Sequence, residues 1–560
     1  MKPFRRRHDK KERRYEERAP FFVLLGALLL FFLRFGYEYG VSDQDEVIPY
    51  LLHRLDPGLF TQDWFVQLQV SEFSIRTYFV WLLNIFAIIL PIWLAALIIH
   101  VAAWLAAAAA IYRLGYHFTR DQLAGCAAVV LVLVLTPVWT LGGNEVVHSM
   151  LVASMVAWAI GLWAVYHFLR GRYLIAPVLL GVACWIQALV GLHLAILLLL
   201  IRAFKYVRGE PGSTTFGGIV VFGALFLMWS SPALGPIVYQ QIFLRPENFN
   251  PDPSIFYILA EFRLPHHYLP TSFYPHSLLR FGLLTLFGSS VLLSRGFRRS
   301  LTDHDFITRV LFLIAGICVI AAVFTELVPS LFVAKLQFFK MTVLAKVLFL
   351  IALSAFVFYW MPEGIRRPLH SLLNYPRWGL ALVALAWAVV MWGTISNDGF
   401  LREKVGPFRR AEEPVGRVET WAKSQTPTDA IFAVPPSWSG FRSAAHRTIV
   451  VNFKAIPFQD DLMVSWFGRL TDMAPIDPPD RGGPGIIDEL DAAYEGLTAD
   501  DLLRLSETYR FNYVIRSGSL EGTEFESVFR SGPWWVYRRA PPAVPMEDVL
   551  PEDVPAEPGQ

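Results

Sequence analysis

Long apolar stretches alternate with short polar connections over about the first 400 residues of the chain. Each is about 17–25 residues long with its flanks, the length an α-helix needs to cross a bilayer. A single run from 174 to 202 is divided in two, because about 29 residues exceed one span and Gln187 and Gly191 supply a polar, flexible break. The pattern predicts eleven spans, at 20–36, 91–113, 121–139, 149–169, 174–188, 189–205, 216–232, 279–295, 307–325, 342–360 and 378–396.

Two connections within the predicted membrane domain, 21–396, are much longer than the others. The first covers 37–90 and ends in a second apolar stretch, 77–90. We interpret that stretch as a helix on the membrane surface, because a further span would invert every later connection. The second long connection, 231–278, is rich in proline, histidine and aromatic residues.

From about residue 397 the chain changes to the composition of a water-soluble protein. A helix followed at once by a buried strand is typical of a small α/β domain, which we place at 397–540. Its predicted helices are 417–423 and 500–509, and its predicted strands are 430–434, 447–453, 513–515 and 534–538. The acidic, proline-rich tail at 541–560 is expected to be disordered.

Charge is distributed unevenly and predicts an orientation. Residues 1–20 form a basic tail, and arginine and lysine recur in alternate connections at 112–121, 167–173, 202–217, 294–305 and 361–377. The positive-inside rule places these segments in the cytoplasm. With an odd number of spans, the C-terminal domain is then extracytoplasmic. We therefore expect an α-helical multi-pass protein of the bacterial cytoplasmic (inner) membrane, with a small α/β domain outside.

Composition narrows the function. The chain is 54% hydrophobic and 17% charged with a net charge of +2, whereas soluble domains are about 25% charged. The high hydrophobic content indicates a lipid bilayer as partner, and the net charge near zero argues against nucleic acid. Cys126, Cys184 and Cys318 lie in apolar stretches, where cysteine is usually a small buried hydrophobe. The sequence has no nucleophile elbow, phosphate-binding loop, dinucleotide fingerprint or zinc motif, so hydrolase, ATPase and oxidoreductase activities have no support.

The strongest candidate for chemistry is an acidic run just after the first span, formed by Asp43, Asp45 and Glu46. Clustered carboxylates beside a membrane repel one another, so a cation, a basic residue or a proton must offset that cost. Further acids and aromatic rings follow in the same connection, as a carbohydrate site requires: Tyr50, Asp63 and Trp64. An interfacial aromatic belt with solvated acids is the alternative.

Other outside segments carry candidates for phosphate or acceptor binding. Basic residues and histidines suited to phosphate are Arg245, Arg263, His266, His267, Lys335 and Lys340. Glu145 and His148 stand three residues apart at a helix start and can share a face toward an acceptor. Structural alternatives stay open: a histidine-rich surface loop, a favourable acid at a helix N-terminus, and lysines anchored at the interface.

This layout resembles the GT-C superfamily of membrane glycosyltransferases, which use polyprenyl-phosphate sugars. Asp45-Glu46-Val47-Ile48-Pro49-Tyr50 is similar to the Asp-Glu-x-x-x-Tyr that begins the first loop in the protein mannosyltransferase and aminoarabinose transferase branch. The whole chain is also similar to a bacterial family of polytopic membrane proteins with this GT-C-like layout, from which no reaction carries over.

The resemblance implies transfer of a sugar from a polyprenyl-phosphate donor to a lipid, glycan or protein acceptor. Asp45, or else Asp43, would take the proton of the acceptor hydroxyl, and basic groups would bind the lipid phosphate. Glu46 would position the acceptor or hold a divalent cation such as Mg or Mn. The alternatives are a transporter or flippase of a lipid-linked or small polar solute, and a non-catalytic scaffold that binds lipid-linked sugar. Acids in outside connections rather than at mid-membrane favour the enzyme.

Overall fold

The computed structural model describes residues 19–137, 139–210, 215–242, 249–374, 410 and 412–539. Up to Asn374 this part of the chain is almost entirely helical, and a small mixed α/β domain follows. The described residues include six helices whose length and composition suit a membrane span, namely Ile92–Thr119, Ala188–Val207, Phe216–Gln241, Pro275–Leu293, His304–Leu327 and Leu331–Trp360. The protein is a multi-pass membrane protein.

Shorter helices pack among these long ones. The shorter apolar helices are Ala19–Phe35, Gln122–Val134, Ala153–Leu169 and Ile175–Ile186. A continuous apolar core fills the space between the helices and includes the fully buried Trp104 and Trp158. Gly115 lets two helices approach closely, since a Cβ at that position would lie 2.9 Å from the Cα of Gly125. Small residues at contacts of this kind are a common basis of helix packing in membranes.

The division of the long apolar run at Gln187 is confirmed. One helix ends at Ile186, the next begins at Ala188, and Gln187 between them is extended, with φ −150°. The Gln187 side chain accepts hydrogen bonds from the backbone N–H groups of Leu189 and Val190, at 2.9 and 3.4 Å. It thereby caps the second helix. The predicted span 378–396 and most of both terminal tails lie outside the described residues.

The prediction that a connection begins at residue 231 is wrong, because the helix Phe216–Ile242 continues through Pro232 and Pro236. Each proline lacks the N–H that would bond the carbonyl four residues earlier. The Ser231 hydroxyl donates instead to the freed carbonyl of Met228, at 2.9 Å. The Tyr78 hydroxyl donates to that of Pro232, at 3.1 Å. Such replacement partners make proline tolerable in a membrane helix.

The first long connection is mostly helical rather than irregular. It contains a 3₁₀ turn, Ser42–Glu46, and three helices, Ile48–Leu55, Trp64–Ser71 and Thr77–Ala87. The last of these is the helix predicted at the membrane surface. Its side chains Trp81 and Ile85 and the following Ile88 and Ile89 are exposed, by 46 to 83%. An apolar face of this kind suits a helix that lies in the membrane interface.

The second long connection is broken into short turns, and long helices separated by short turns follow it. The connection holds a π-helical turn, Tyr257–Arg263, then Pro265–Tyr268 and the 3₁₀ turn Pro270–Ser272. The remaining elements are Pro275–Leu293, Arg295–Arg298, His304–Ala322, the π turn Val323–Leu327, Leu331–Leu336, the 3₁₀ turn Phe338–Met341, Thr342–Trp360 and Glu363–Asn374.

The C-terminal domain is built around a five-stranded sheet of order β2-β1-β3-β5-β4. Its strands are β1 Ile431–Ala433, β2 Thr448–Ile449, β3 Tyr513–Arg516, β4 Phe525–Ser531 and β5 Trp534–Arg539. β1 is parallel to β2 and β3, whereas β5 is antiparallel to β3 and β4. Its helices are Pro414–Gln425, Phe441–Ala445, Asp460–Met473, the 3₁₀ turn Gly483–Ile486, Ile487–Glu495 and Ala499–Tyr509.

Two predictions for this sheet need correction. The strand predicted at 447–453 shrinks to Thr448–Ile449, because the chain then leaves the sheet toward the first long connection. The edge strand β4 was missed, since a register shift between Ser527 and Phe529 breaks its alternation of buried and exposed residues.

The C-terminal domain is fixed to the first long connection by a buried ion pair. Nε of Arg442 lies 2.7 Å from Oδ2 of Asp63, and both side chains are almost completely buried. Asp63 also accepts a hydrogen bond from the N–H of Val66, at 3.0 Å. The backbones of the C-terminal domain and the first connection also touch, at Gly440 and Gly40. Gly440 has φ +87°, and a Cβ there would collide with the carbonyl oxygen of Gly40. The domain is therefore held in one position over the membrane helices.

We expect Arg442→Met to destabilise this attachment by about 3–5 kcal/mol, because Asp63 would stay buried without a counter-charge. The measurement is the midpoint of thermal unfolding in detergent. Arg442→Met combined with Asp63→Asn should lose less, since no charge is stranded. Arg538→Met is the matched control, because its pair with Glu526 is 50 and 62% exposed and such pairs contribute about 0–1 kcal/mol. An unchanged midpoint for Arg442→Met would contradict this account.

Candidate functional site

A cavity of about 340 Å³ lies between the membrane helices, the two long connections and the C-terminal domain. One part of its wall is apolar and belongs to the helices and the first connection. This part includes Phe65, Phe73, Phe79, Trp158, Ile186 and Ile237. The C-terminal domain closes the other side with residues 454, 456–459 and 462. A ligand bound here would contact both parts of the protein.

The rest of the cavity wall is strongly charged. Its cations are Arg76, Arg263, Lys335, Lys340 and Lys454, and its carboxylates are Asp43, Glu46 and Glu145. Glu145 is neutralised from below by Lys346, whose Nζ lies 2.6 Å from Oε2 with both side chains buried. The excess of positive charge favours an anionic ligand.

Three of these five cations already have a carboxylate partner. Lys454 pairs with Asp43, Arg76 with Glu46, and Lys335 with Asp460. Both residues of the first two pairs line the cavity, whereas Asp460 of the third pair does not. Lys454 and Arg76 thus offset the repulsion between the carboxylates of the acidic run.

Arg263 and Lys340 form no ion pair with any described residue. Arg263 donates to the backbone carbonyl of Lys454, at 3.0 Å, and stacks over the ring of Phe453, with 4.4 Å from Cζ to the centroid. Burial lowers the pKa of Arg263 to about 10, so the guanidinium remains charged at neutral pH. These two cations can therefore bind an anion without first losing a carboxylate partner.

The histidines near the cavity are neutral. Nδ1 of His267 lies 2.5 Å from the carbonyl oxygen of Gly142, and burial lowers the pKa of His267 to about 4. His266 stacks on it, with ring centroids 4.1 Å apart, but does not line the cavity, and burial lowers its pKa to about 2. Burial also lowers the pKa of His148, which does line the cavity. At neutral pH His267 can thus offer hydrogen bonds but not charge.

The acidic run is divided by the fold. Asp43 lines the cavity and is 52% exposed, and the ammonium of Lys454 holds the pKa of its carboxyl well below the usual range. Asp45 is fully buried outside the cavity wall, where it accepts a 2.6 Å hydrogen bond from Nδ2 of Asn452. Burial raises the pKa of Asp45. Glu46 lines the cavity beside Arg76.

Three predicted sugar-binding residues do not reach the cavity. Tyr50 is buried in the apolar core, and Asp63 is committed to Arg442. Trp64 packs against Arg469, with 4.7 Å from its ring centroid to Cζ. Arg245 lies outside the described residues. The structure does bring together Asp43, Glu46, Glu145, His148, Arg263, His267, Lys335 and Lys340.

Sequence reasoning missed Arg76 and Lys454 as members of this site. Lys454 stands alone among apolar residues of the C-terminal domain, more than 400 positions after Asp43. Only the tertiary structure brings Lys454 into contact with Asp43.

The residues present do not fit the divalent cation that the resemblance implied. Among the described residues, no group of three or more His, Cys, Asp or Glu side chains is arranged to hold a metal ion. Asp43 and Glu46 each face a basic side chain, and Asp45 does not line the cavity. We therefore assign no step to a metal.

The chain matches a family model and is similar to solved structures. A family model described as Domain of unknown function (DUF6798) matches residues 413–473, a segment that contains Arg442 and Lys454. No curated protein matches the chain. Among solved structures, the chain is similar to the Archaeoglobus fulgidus oligosaccharyltransferase tethered to an acceptor peptide containing the NVT sequon. Identity is 13%, coverage is 88% of this chain and 68% of that one, and the TM-score is 0.39. A likeness at this level carries no functional weight beside the geometry of the cavity.

Inorganic pyrophosphate should bind the cavity and raise the midpoint of thermal unfolding, as any ligand of the folded state does. Lys340→Met should weaken that binding by about 10-fold, because a charge-assisted hydrogen bond contributes about 1.5–3 kcal/mol. Arg504→Met, which removes a cation that is 75% exposed elsewhere on the protein, is the control. Equal losses in the two variants would show that the anion does not bind here.

Proposed function

We propose that this protein is a GT-C-type membrane glycosyltransferase. It would move a sugar from a polyprenyl-phosphate donor to a lipid, glycan or protein acceptor at the extracytoplasmic face of the inner membrane. One observation carries the proposal. A single cavity combines an apolar wall of membrane helices, a half-exposed carboxylate, and two cations that form no ion pair within the described part of the chain.

The cavity wall matches the parts of such a donor. The isoprenoid chain would lie against the apolar side chains of the helices, among them Trp158 and Ile237. The phosphate would lie between Arg263 and Lys340. Neither forms an ion pair with a described residue, so neither has to give up a carboxylate to bind it. Tyr268 and Gln337, which are hydrogen-bonded to each other at the cavity wall, would offer polar contacts beside it.

The reaction needs one base and no general acid, because the lipid phosphate is already a good leaving group. Asp43 would take the proton of the acceptor hydroxyl as its oxygen forms the new bond to the anomeric carbon. The bond between that carbon and the phosphate oxygen breaks, and its electron pair stays on the phosphate. Arg263 and Lys340 would stabilise the charge that develops there.

We prefer Asp43 to Asp45 as the base, which reverses the order suggested by the motif. A base must come within hydrogen-bond reach of the proton it removes. Asp45 is enclosed between the first connection and the C-terminal domain, where its partner is Asn452. A structural role, namely holding that domain in place, suits Asp45 better.

Transport is the weaker alternative. A carrier needs its charged site to be reachable from both sides of the membrane, usually at mid-membrane in broken helices. Here Asp43, Arg76 and Arg263 belong to the two long connections predicted to lie outside, and Lys454 belongs to the C-terminal domain. This position supports an enzyme that works at the outer surface.

Native mass spectrometry of the detergent-purified protein tests the proposal. Wild type should carry polyprenyl phosphate, whereas Asp43→Asn should accumulate the sugar-loaded lipid, because loss of a general base slows transfer by about 10²–10⁴-fold. Asp45→Asn is the matched control and should turn over its donor faster than Asp43→Asn.

Other outcomes would each exclude part of this account. If no polyprenyl lipid binds to wild type, the glycosyltransferase proposal fails. Bound sugar-lipid that persists in wild type would indicate the non-catalytic scaffold. If Asp45→Asn, folded normally, blocks turnover while Asp43→Asn does not, the base is Asp45.

A further inference from the structure

The three ion pairs around the cavity differ in how easily they can separate. The carboxylates of Glu46 and Asp460 are only 6 and 9% exposed, whereas that of Asp43 is 52% exposed. Removing the cation from a buried carboxylate strands a charge, which is strongly unfavourable. An exposed pair contributes little, because water replaces the lost partner. Of the three cations, Lys454 is therefore the one that can leave its carboxylate at low cost.

The backbone of Lys454 is anchored beside the place assigned to the phosphate. Its carbonyl oxygen accepts the 3.0 Å hydrogen bond from Arg263. Asn452, two residues earlier, bonds Asp45 and also accepts from the N–H of Ala455, at 3.0 Å. The backbone on both sides of Lys454 is thus held in place. A lysine side chain has a flexible four-carbon stem and three donors, so its ammonium can turn without movement of the backbone.

We propose that Lys454 exchanges Asp43 for the phosphate of the donor, so that donor binding releases the catalytic carboxylate. This inference rests on the function proposed above and adds a further catalytic residue, one supplied by the C-terminal domain. In the donor-free state Lys454 forms an ion pair with Asp43. In the loaded state it would join Arg263 and Lys340 on the phosphate, where negative charge grows during transfer.

The exchange would make Asp43 more basic, which favours removal of a proton from the acceptor hydroxyl. With Lys454 in contact, the pKa of Asp43 is held well below its usual range, and the carboxylate is a weak base. Once Lys454 leaves, partial burial raises that pKa. Arg76 and His148 also face Asp43, and its charge acts in turn on Arg263, Lys340 and His267. These groups remain in place, so Lys454 is the one whose movement changes the balance.

Affinity for farnesyl phosphate, a lipid phosphate without a sugar, tests the contact separately from transfer. Titration calorimetry in detergent should show about 10-fold weaker binding for Lys454→Met, the effect of one charge-assisted contact. Lys423→Met, a lysine of the same domain outside the cavity wall, should bind as wild type does. Failure of wild type to bind would overturn the proposed function itself. Normal binding by Lys454→Met would overturn only the exchange.

The pH dependence of transfer tests whether Asp43 is released. The profile of kcat/KM reports the free enzyme and that of kcat the donor complex. Because the base must be deprotonated, a raised pKa moves the acid limb to higher pH. As the pH is lowered, we expect kcat to begin to fall at a higher pH than kcat/KM does. In Lys454→Met the two limbs should coincide. A separation that persists in this variant would show that the charge of the donor, and not Lys454, shifts the base.

Discussion

The cost of burying an unpaired charge governs the arrangement of this protein. Arg442 and Asp63 offset that cost for each other and so fix a water-soluble domain on a connection between membrane helices. The cavity exists only because the domain is held there, since Lys454 reaches it from one side and Asp43 from the other. Where burial is complete the charges are matched and serve the architecture. Where it is partial, as at Asp43, water can replace a lost partner, which is the basis of the exchange proposed above.

The same rule separates two acids that are only two positions apart in the sequence. The 3₁₀ turn Ser42–Glu46 directs Asp45 into the protein and Asp43 into the cavity. Asp45 receives an amide partner, Asn452, which suits a group excluded from water, and Asp43 receives the ammonium of Lys454. One short run thus supplies both a buried acid and an acid that faces the cavity. The difference lies in their exposure and not in their residue type.

Apolar periodicity was sufficient to predict membrane helices, including the break at Gln187, because a bilayer forces each segment to satisfy its own backbone. The prediction failed where a distant group supplied the missing hydrogen bond. Tyr78 donates to the carbonyl freed by Pro236, so the helix continues. Of the acidic run, which local charge density had singled out, Asp43 and Glu46 line the cavity. Lys454 could not be found, because no local pattern links side chains so far apart in the chain.

The buried pair of Arg442 and Asp63 also restricts how this protein can change by descent. A substitution of either residue alone leaves a charge in the interior, so the intermediate between two matched pairs is a poorly folded protein. The two positions must therefore change almost together, although one belongs to the membrane part and the other to the domain matched by the family model. We therefore expect the domain and the connection beneath it to be inherited as one unit. A chimera that exchanges the domain between relatives would have to carry the connection with it.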